Sequence, residues 1–197
     1  MDRRKALRQT SWLAGAAITA PAMLSLLQSC KSESRLNWQP TFLANDEAEF
    51  ISSIVDIILP KTDTPGALDV NVDVFLDRLW AETADETTQA EVKKDIVDFN
   101  DNCKETYGSV FAKCSKEDQQ KALEAAEAAS GTFNYNFWGG AAGKQEPVGF
   151  YRNLKSTAIW AYLSSEEIGK NVLSYDPVPG GYDGCIAADS VGNKWAL

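Results

Sequence analysis

The chain has 197 residues, with 19 Lys and Arg against 28 Asp and Glu, four cysteines and no histidine, for a formal charge of −9. That balance argues against nucleic acid as a partner, since a polyanion needs a basic footprint. Without imidazole, the serine, cysteine and metal-dependent hydrolases lose their usual base or ligand, and helical di-iron sites lose their Glu-x-x-His pair.

The first thirty residues read as an export signal. "MDRRKALR" gives a charged start, and an apolar stretch of sixteen residues, Trp12 to Leu27, follows; it contains Gly15 and Pro21. That is short for a membrane-spanning helix. "LLQSC" resembles a lipobox, in which cleavage makes Cys30 the lipid-bearing first residue, and Arg3-Arg4 resembles a twin-arginine signal for export of folded cargo. An ordinary secretory signal or a short membrane anchor is the alternative. The expected organisation is a signal peptide over 1–29, a tether over 30–42 and one helical domain over 43–197. The signal holds four of the 19 cations and one of the 28 acids, so the processed chain carries 15 against 27, net −12.

Helical periodicity sets in at Asp46. From there to Leu59, Phe50, Ile51, Ile54, Val55 and Ile58 recur at helical spacing, acids occupy the first turn and Pro60 stops the helix. "PKTDTPGALD" (60–69) is a connector with a Pro65-Gly66 turn. A second helix is predicted over 69–80, burying Val72, Phe75, Leu76, Leu79 and Trp80. A third spans 88–107, its stripe of Val92, Ile96, Phe99 and Cys103 facing the core. The fourth opens at Ser115, a capping residue answered by Asp118.

Residues 130–147 then hold Phe133, Tyr135, Phe137 and Trp138, too much ring surface to leave in water. The fifth helix, about 147–163, is apolar around much of its circumference and is expected to be central. One short helical turn follows before "SYDPVPGGYDGC" (174–185). The predicted architecture is all-α: a single domain of about five helices with long ordered loops and an irregular C-terminal strip.

Motifs with chemical promise fail on inspection. "GGAAGK" (139–144) lacks the first glycine and the hydroxyl residue of a phosphate loop, and no strand precedes it. "DVNVDV" (69–74) opens like a calcium loop, but Val74 and Trp80 stand where glycine and glutamate belong. An acidic helix start explains it better. No metal set and no cofactor site is read in this chain. Cys103 and Cys114 bracket a helix end and the next helix start, a separation a disulfide can span; the bond is expected with Cys185 left over, against the reading of Cys103 as a small buried apolar residue.

"ISSIVDIILPKTDTPGALDVNVDVFLDRLW" together with "FYRNLKSTAIWAYLSSEEIGKNVLSYDPVPGGYDGC" resembles the gluconate 2-dehydrogenase subunit 3 family, small subunits of periplasmic flavin-dependent sugar and polyol dehydrogenases. The resemblance covers residues 43–185. It implies a subunit without chemistry of its own that helps a large FAD-bearing subunit of the GMC type mature and cross the membrane, then stays bound. A cytochrome c subunit is a further implied partner, and the lipobox adds membrane tethering in the periplasm.

The strip suits that role physically. Pro177 and Pro179 fix φ while Gly180, Gly181 and Gly184 allow turns, so the strip has a defined shape with little ordering cost on binding, and Tyr175 and Tyr182 offer amphipathic anchors. The expected contact comprises Phe137 and Trp138 with Tyr175, Asp176, Pro177, Pro179, Gly180, Tyr182, Asp183 and Cys185. A C-terminal belt packed on its own helices is the plainer alternative for the tyrosines. A lipid-anchored scaffold unrelated to redox chemistry, or an enzyme working through paired carboxylates, remains open beside the accessory role.

Overall fold

The computed structural model describes residues 36–133, 147–175, 180 and 185–192. The chain divides into two units, 1–35 and 36–197, and the described residues belong to the second. That unit is all-α: α1 (Asn45–Ile58), α2 (Val72–Thr83), α3 (Glu86–Tyr107), a 3₁₀ turn (Phe111–Lys113), α4 (Lys116–Ala129), α5 (Phe150–Leu163), α6 (Glu166–Asn171) and α7 (Ala188–Val191). The helices expected from periodicity are all present, four of them shifted at the start by up to three residues.

Helix ends follow local chemistry. Glu47 reaches back to accept the Ala44 N–H at 2.8 Å, half of a capping box. Asp85 caps α3 by accepting from the Thr88 N–H at 2.8 Å, and Gly108, at φ 78°, ends it in the left-handed conformation glycine adopts freely. Ser115 caps α4 by accepting from Asp118 N–H at 3.1 Å, as its sequence position predicts.

The most enclosed helix is α1, not α5. Ala48, Phe50, Ile51, Ser52, Ser53, Ile54 and Val55 are all buried, whereas α5 leaves Trp160 half exposed. Aromatic content misleads here, because a ring at a helix surface reads like a ring in the core. At the centre, Phe50, Phe99 and Phe111 meet pairwise edge to face at 5.4–5.6 Å, and Phe150 stacks on Phe50 at 6.3 Å. Such geometries add to area burial. The 3₁₀ turn is pinned by two side chains: Asn100 Oδ1 accepts the Phe111 N–H at 3.0 Å, and Gln119 Nε2 donates to the Phe111 carbonyl at 2.8 Å.

The second helix buries a different stripe from the one its apolar residues suggest. Val72, Asp73, Leu76 and Asp77 face inward and Phe75 faces out. Asp77 accepts the N–H groups of Thr41, Phe42 and Leu43 at 2.7, 3.0 and 2.8 Å. One turn earlier, Asp73 Oδ2 accepts from Ser52 Oγ at 2.6 Å and Trp38 Nε1 at 3.1 Å. Two buried carboxylates four residues apart thus fasten residues 38–43 to the domain, with Leu36, Trp38 and Phe42 packed on the core. Residues 36–42, expected in the tether, thus belong to the folded domain, and residues 30–35 lie outside the described residues.

The connector between α1 and α2 is tightly bound. Ala67 N–H donates to the Leu59 carbonyl at 2.8 Å and Tyr162 Oη to the Pro65 carbonyl at 2.7 Å. A Cβ on Gly66 would lie 2.6 Å from the Lys61 nitrogen, so close approach, not an unusual φ, requires glycine there. Asp69 accepts from Gly66 N–H at 2.8 Å and Lys61 Nζ at 3.0 Å; those two donors, the amide first, hold its carboxyl below the usual range. Asp69 and Asp73 are therefore spent on the fold, in keeping with rejection of the calcium-loop reading.

Candidate functional site

Surface features of two kinds stand out. The first is an aromatic ledge. Phe75 projects from α2 and Trp160 from α5, their ring centroids 5.6 Å apart at a tilt of 59°. They are 39% and 49% exposed, so two large rings in mutual contact face water. Aromatic side chains so placed are the residues that anchor protein interfaces. Phe75 was expected inside; the α2 register turns it out because Asp73 and Asp77 occupy the inward positions.

The second is a groove of about 500 Å³ between α3 and α4, closed at one end by the start of α5. Its floor is Ala122, Ala125, Ala126 and Ala129, whose small side chains leave the space above them unfilled. Phe99, Cys103 and Tyr151 line the inner wall, and Asp95 and Asp98 stand on the rim. Asp98 pairs with Lys94. Among the described residues the Asp95 carboxylate has no hydrogen-bond or ion-pair partner; burial pushes it up, Lys94 opposes the shift, and Asp98 and Glu91 add to it.

The cysteines do not form the expected pair. Cys103 is a buried thiol and Cys114 a half-buried one. Cys114 turns its Sγ to the Ser109 and Val110 carbonyls, 3.4 Å from each, which leaves it aimed at the preceding turn. Burial raises the Cys103 thiol to about 11, with Cys114 adding to the shift.

Of the expected contact strip, Tyr175 is half exposed, and Gly180 and Cys185 are exposed. Phe137, Trp138, Asp176, Pro177, Pro179, Tyr182 and Asp183 lie outside the described residues, as do Arg3, Arg4 and Cys30. Among the described residues no cluster of three or more Cys, Asp or Glu is placed to hold a metal ion, and no helix is long and apolar enough to cross a membrane.

Fold and surface together define a small all-α domain whose distinctive exposed features are an aromatic ledge and an acid-rimmed apolar groove. The chain belongs to the gluconate 2-dehydrogenase subunit 3 family: the family model of that description matches residues 45–180. The match runs from the first residue of α1 into the C-terminal strip and places the chain among the subunits of an oxidoreductase complex. No curated protein and no solved structure matches it.

Proposed function

We infer that this chain is a non-catalytic accessory subunit that binds a flavin-dependent, GMC-type sugar or polyol dehydrogenase, aids its maturation and export, and tethers it to the membrane through lipid on Cys30. The observation that carries the reading is the Phe75–Trp160 ledge: two aromatic rings in contact with each other and open to solvent, on a domain whose family is that of a dehydrogenase subunit.

Leaving such rings in water forgoes burial worth about 1.5–3 kcal/mol for a phenylalanine-sized side chain. A partner that covers them recovers that energy. Tyr175 and the strip through Cys185, with Phe137 and Trp138, also contribute to partner binding in this reading. FAD belongs to the partner, which performs the oxidation, with a cytochrome c subunit as the onward electron carrier. Arg3 and Arg4 direct export in the folded state, and the complex then resides in the periplasm.

Co-expression of the tagged chain with a GMC-type flavoprotein dehydrogenase of the same organism, followed by purification, tests the reading. A flavin-coloured complex supports it. A chain that elutes alone removes its main support.

A further inference from the structure

A second cavity, of about 330 Å³, opens on the other side of Asp95, between α3 and the start of α5, with Trp80, Val92 and Leu154 in its wall. It shares Asp95, Gly149 and Phe150 with the alanine-floored cavity. The two are halves of one groove that follows α3 from Glu91 to Tyr107. Sixteen residues of helix at 1.5 Å each give it a length of about 24 Å, close to four and a half helical turns.

Its charge is as uneven as its polarity. Among the described residues Glu91 and Asp95 lie along it without an ion pair, and both lysines between them in the chain are engaged elsewhere, Lys94 with Asp98 and Lys93 with Glu47 at 3.8 Å. Other half-buried and buried acids show what a partner supplies: Glu127 takes Arg152 at 2.8 Å and Lys155 at 3.0 Å, and Asp77 takes three backbone N–H groups. A partly desolvated carboxylate between two apolar hollows is an energetic defect in the isolated chain, and a cation brought in by a ligand corrects it. The alanine floor admits apolar side chains from above.

We propose that this groove is a docking site for an amphipathic helical segment of another polypeptide, with apolar side chains seated over Ala122–Ala129 and a lysine or arginine paired with Asp95 and Glu91. The site is separate from the ledge and does not depend on a flavoprotein being the partner. Helix-in-groove recognition of this kind reads apolar anchors at i, i+3, i+4 and i+7. The same Asp95 that weakens the free domain then strengthens the complex, a trade-off familiar at binding sites.

The test uses the full chain and a fluorescent sixteen-residue peptide of leucine and lysine designed as an amphipathic helix, with a glutamate-for-lysine version as control. Anisotropy titration is expected to show saturable binding of the lysine peptide and none of the control. Asp95→Asn and Ala125→Phe should each weaken binding about tenfold or more, the latter without any change of charge, while Glu82→Gln on α2 should leave it unchanged. Equal binding by all variants would mean diffuse attraction to an acidic surface and would overturn the proposal. So would binding that appears only in Phe137→Ala/Trp138→Ala, which would assign the groove to this chain's own loop. Dimerisation abolished by Ala125→Phe would assign it to a second copy, with the same consequence.

Discussion

Asp77 accepts the backbone N–H of Leu43 at 2.8 Å across 34 residues of sequence, and both residues are buried. With the Thr41 and Phe42 amides on the same carboxylate, the side chain substitutes for the water those donors would otherwise need. Asp77→Ala leaves at least the Leu43 donor stranded, and should cost about 3 kcal/mol. For a domain of this size that is a fall of roughly 6–12 °C in Tm. Asp98→Asn, on the exposed face of α3, should stay within about 0.5 kcal/mol. Thermal unfolding followed by circular dichroism distinguishes the two.

The same clamp predicts where the domain tolerates truncation. A chain beginning at Leu36 retains Trp38, Phe42 and the three amides on Asp77; one beginning at Asn45 leaves Asp73 without its Trp38 partner and Asp77 without its donors. The first should melt within a degree or two of a chain beginning at Cys30 by the usual scale of neutral changes. The second should melt far lower or fail to fold.

Gly66→Ala tests the connector. The added methyl meets the Lys61 nitrogen at 2.6 Å and the Pro60 carbonyl carbon at 3.0 Å, backbone atoms that cannot swing aside. Overpacking of this kind costs about 1–3 kcal/mol. Urea unfolding should show that loss in the midpoint with an unchanged slope.

Asp95→Asn should act in the opposite direction. Burial raises the folded-state value above that of the unfolded chain, so the native state binds the proton more tightly, and stability falls as pH rises through the carboxylate range. Asparagine removes that penalty. At pH 7 the variant should melt higher than wild type, and the difference should shrink as pH falls through the carboxylate range and vanish toward about pH 3, where the wild-type carboxyl is protonated in both states. A variant less stable than wild type at pH 7 would mean that Asp95 has a stabilising partner.

Thiol chemistry reports the cysteine arrangement. With the Cys103 thiol raised to about 11, only about a thousandth of it is thiolate at pH 8, against roughly a tenth of an ordinary exposed cysteine. Cys103 should resist a thiol reagent in the native protein and react at once in denaturant, while Cys114 reacts slowly in the native state.

The helices were legible because their signals are local: Phe50, Ile51, Ile54 and Val55 fall on one face, Pro60 stops α1 and Ser115 caps α4. Inward orientation was less so. In α2 the period that selects Phe75 and Leu79 is apolar, whereas the buried stripe is Val72–Asp73–Leu76–Asp77, and an aspartate whose partners are amides 34 to 36 residues away looks like a surface acid. Likewise, nothing near Asp95 in the chain announces an apolar groove, since α4 supplies the floor and α5 the end wall. The family resemblance needed only contiguous motifs and was readable; the ledge required knowing that α2 and α5 lie side by side.

That ledge carries the functional account. Phe75→Ala/Trp160→Ala removes a half-exposed pair, so its effect on stability should be moderate, about 0.5–1.5 kcal/mol from the lost ring contact and about 1 kcal/mol from the buried half of each ring. Its effect on assembly should be large, because aromatic anchors at interfaces are commonly worth 2 kcal/mol or more each, or roughly thirtyfold in Kd. The decisive measurement is therefore the flavin content of complex purified through the tagged chain from cells co-expressing a GMC-type flavoprotein dehydrogenase of the same organism. The account predicts about one flavin per chain with wild type and little or none with the folded double variant; equal flavin recovery with both, or sugar oxidation by the isolated chain, would contradict it.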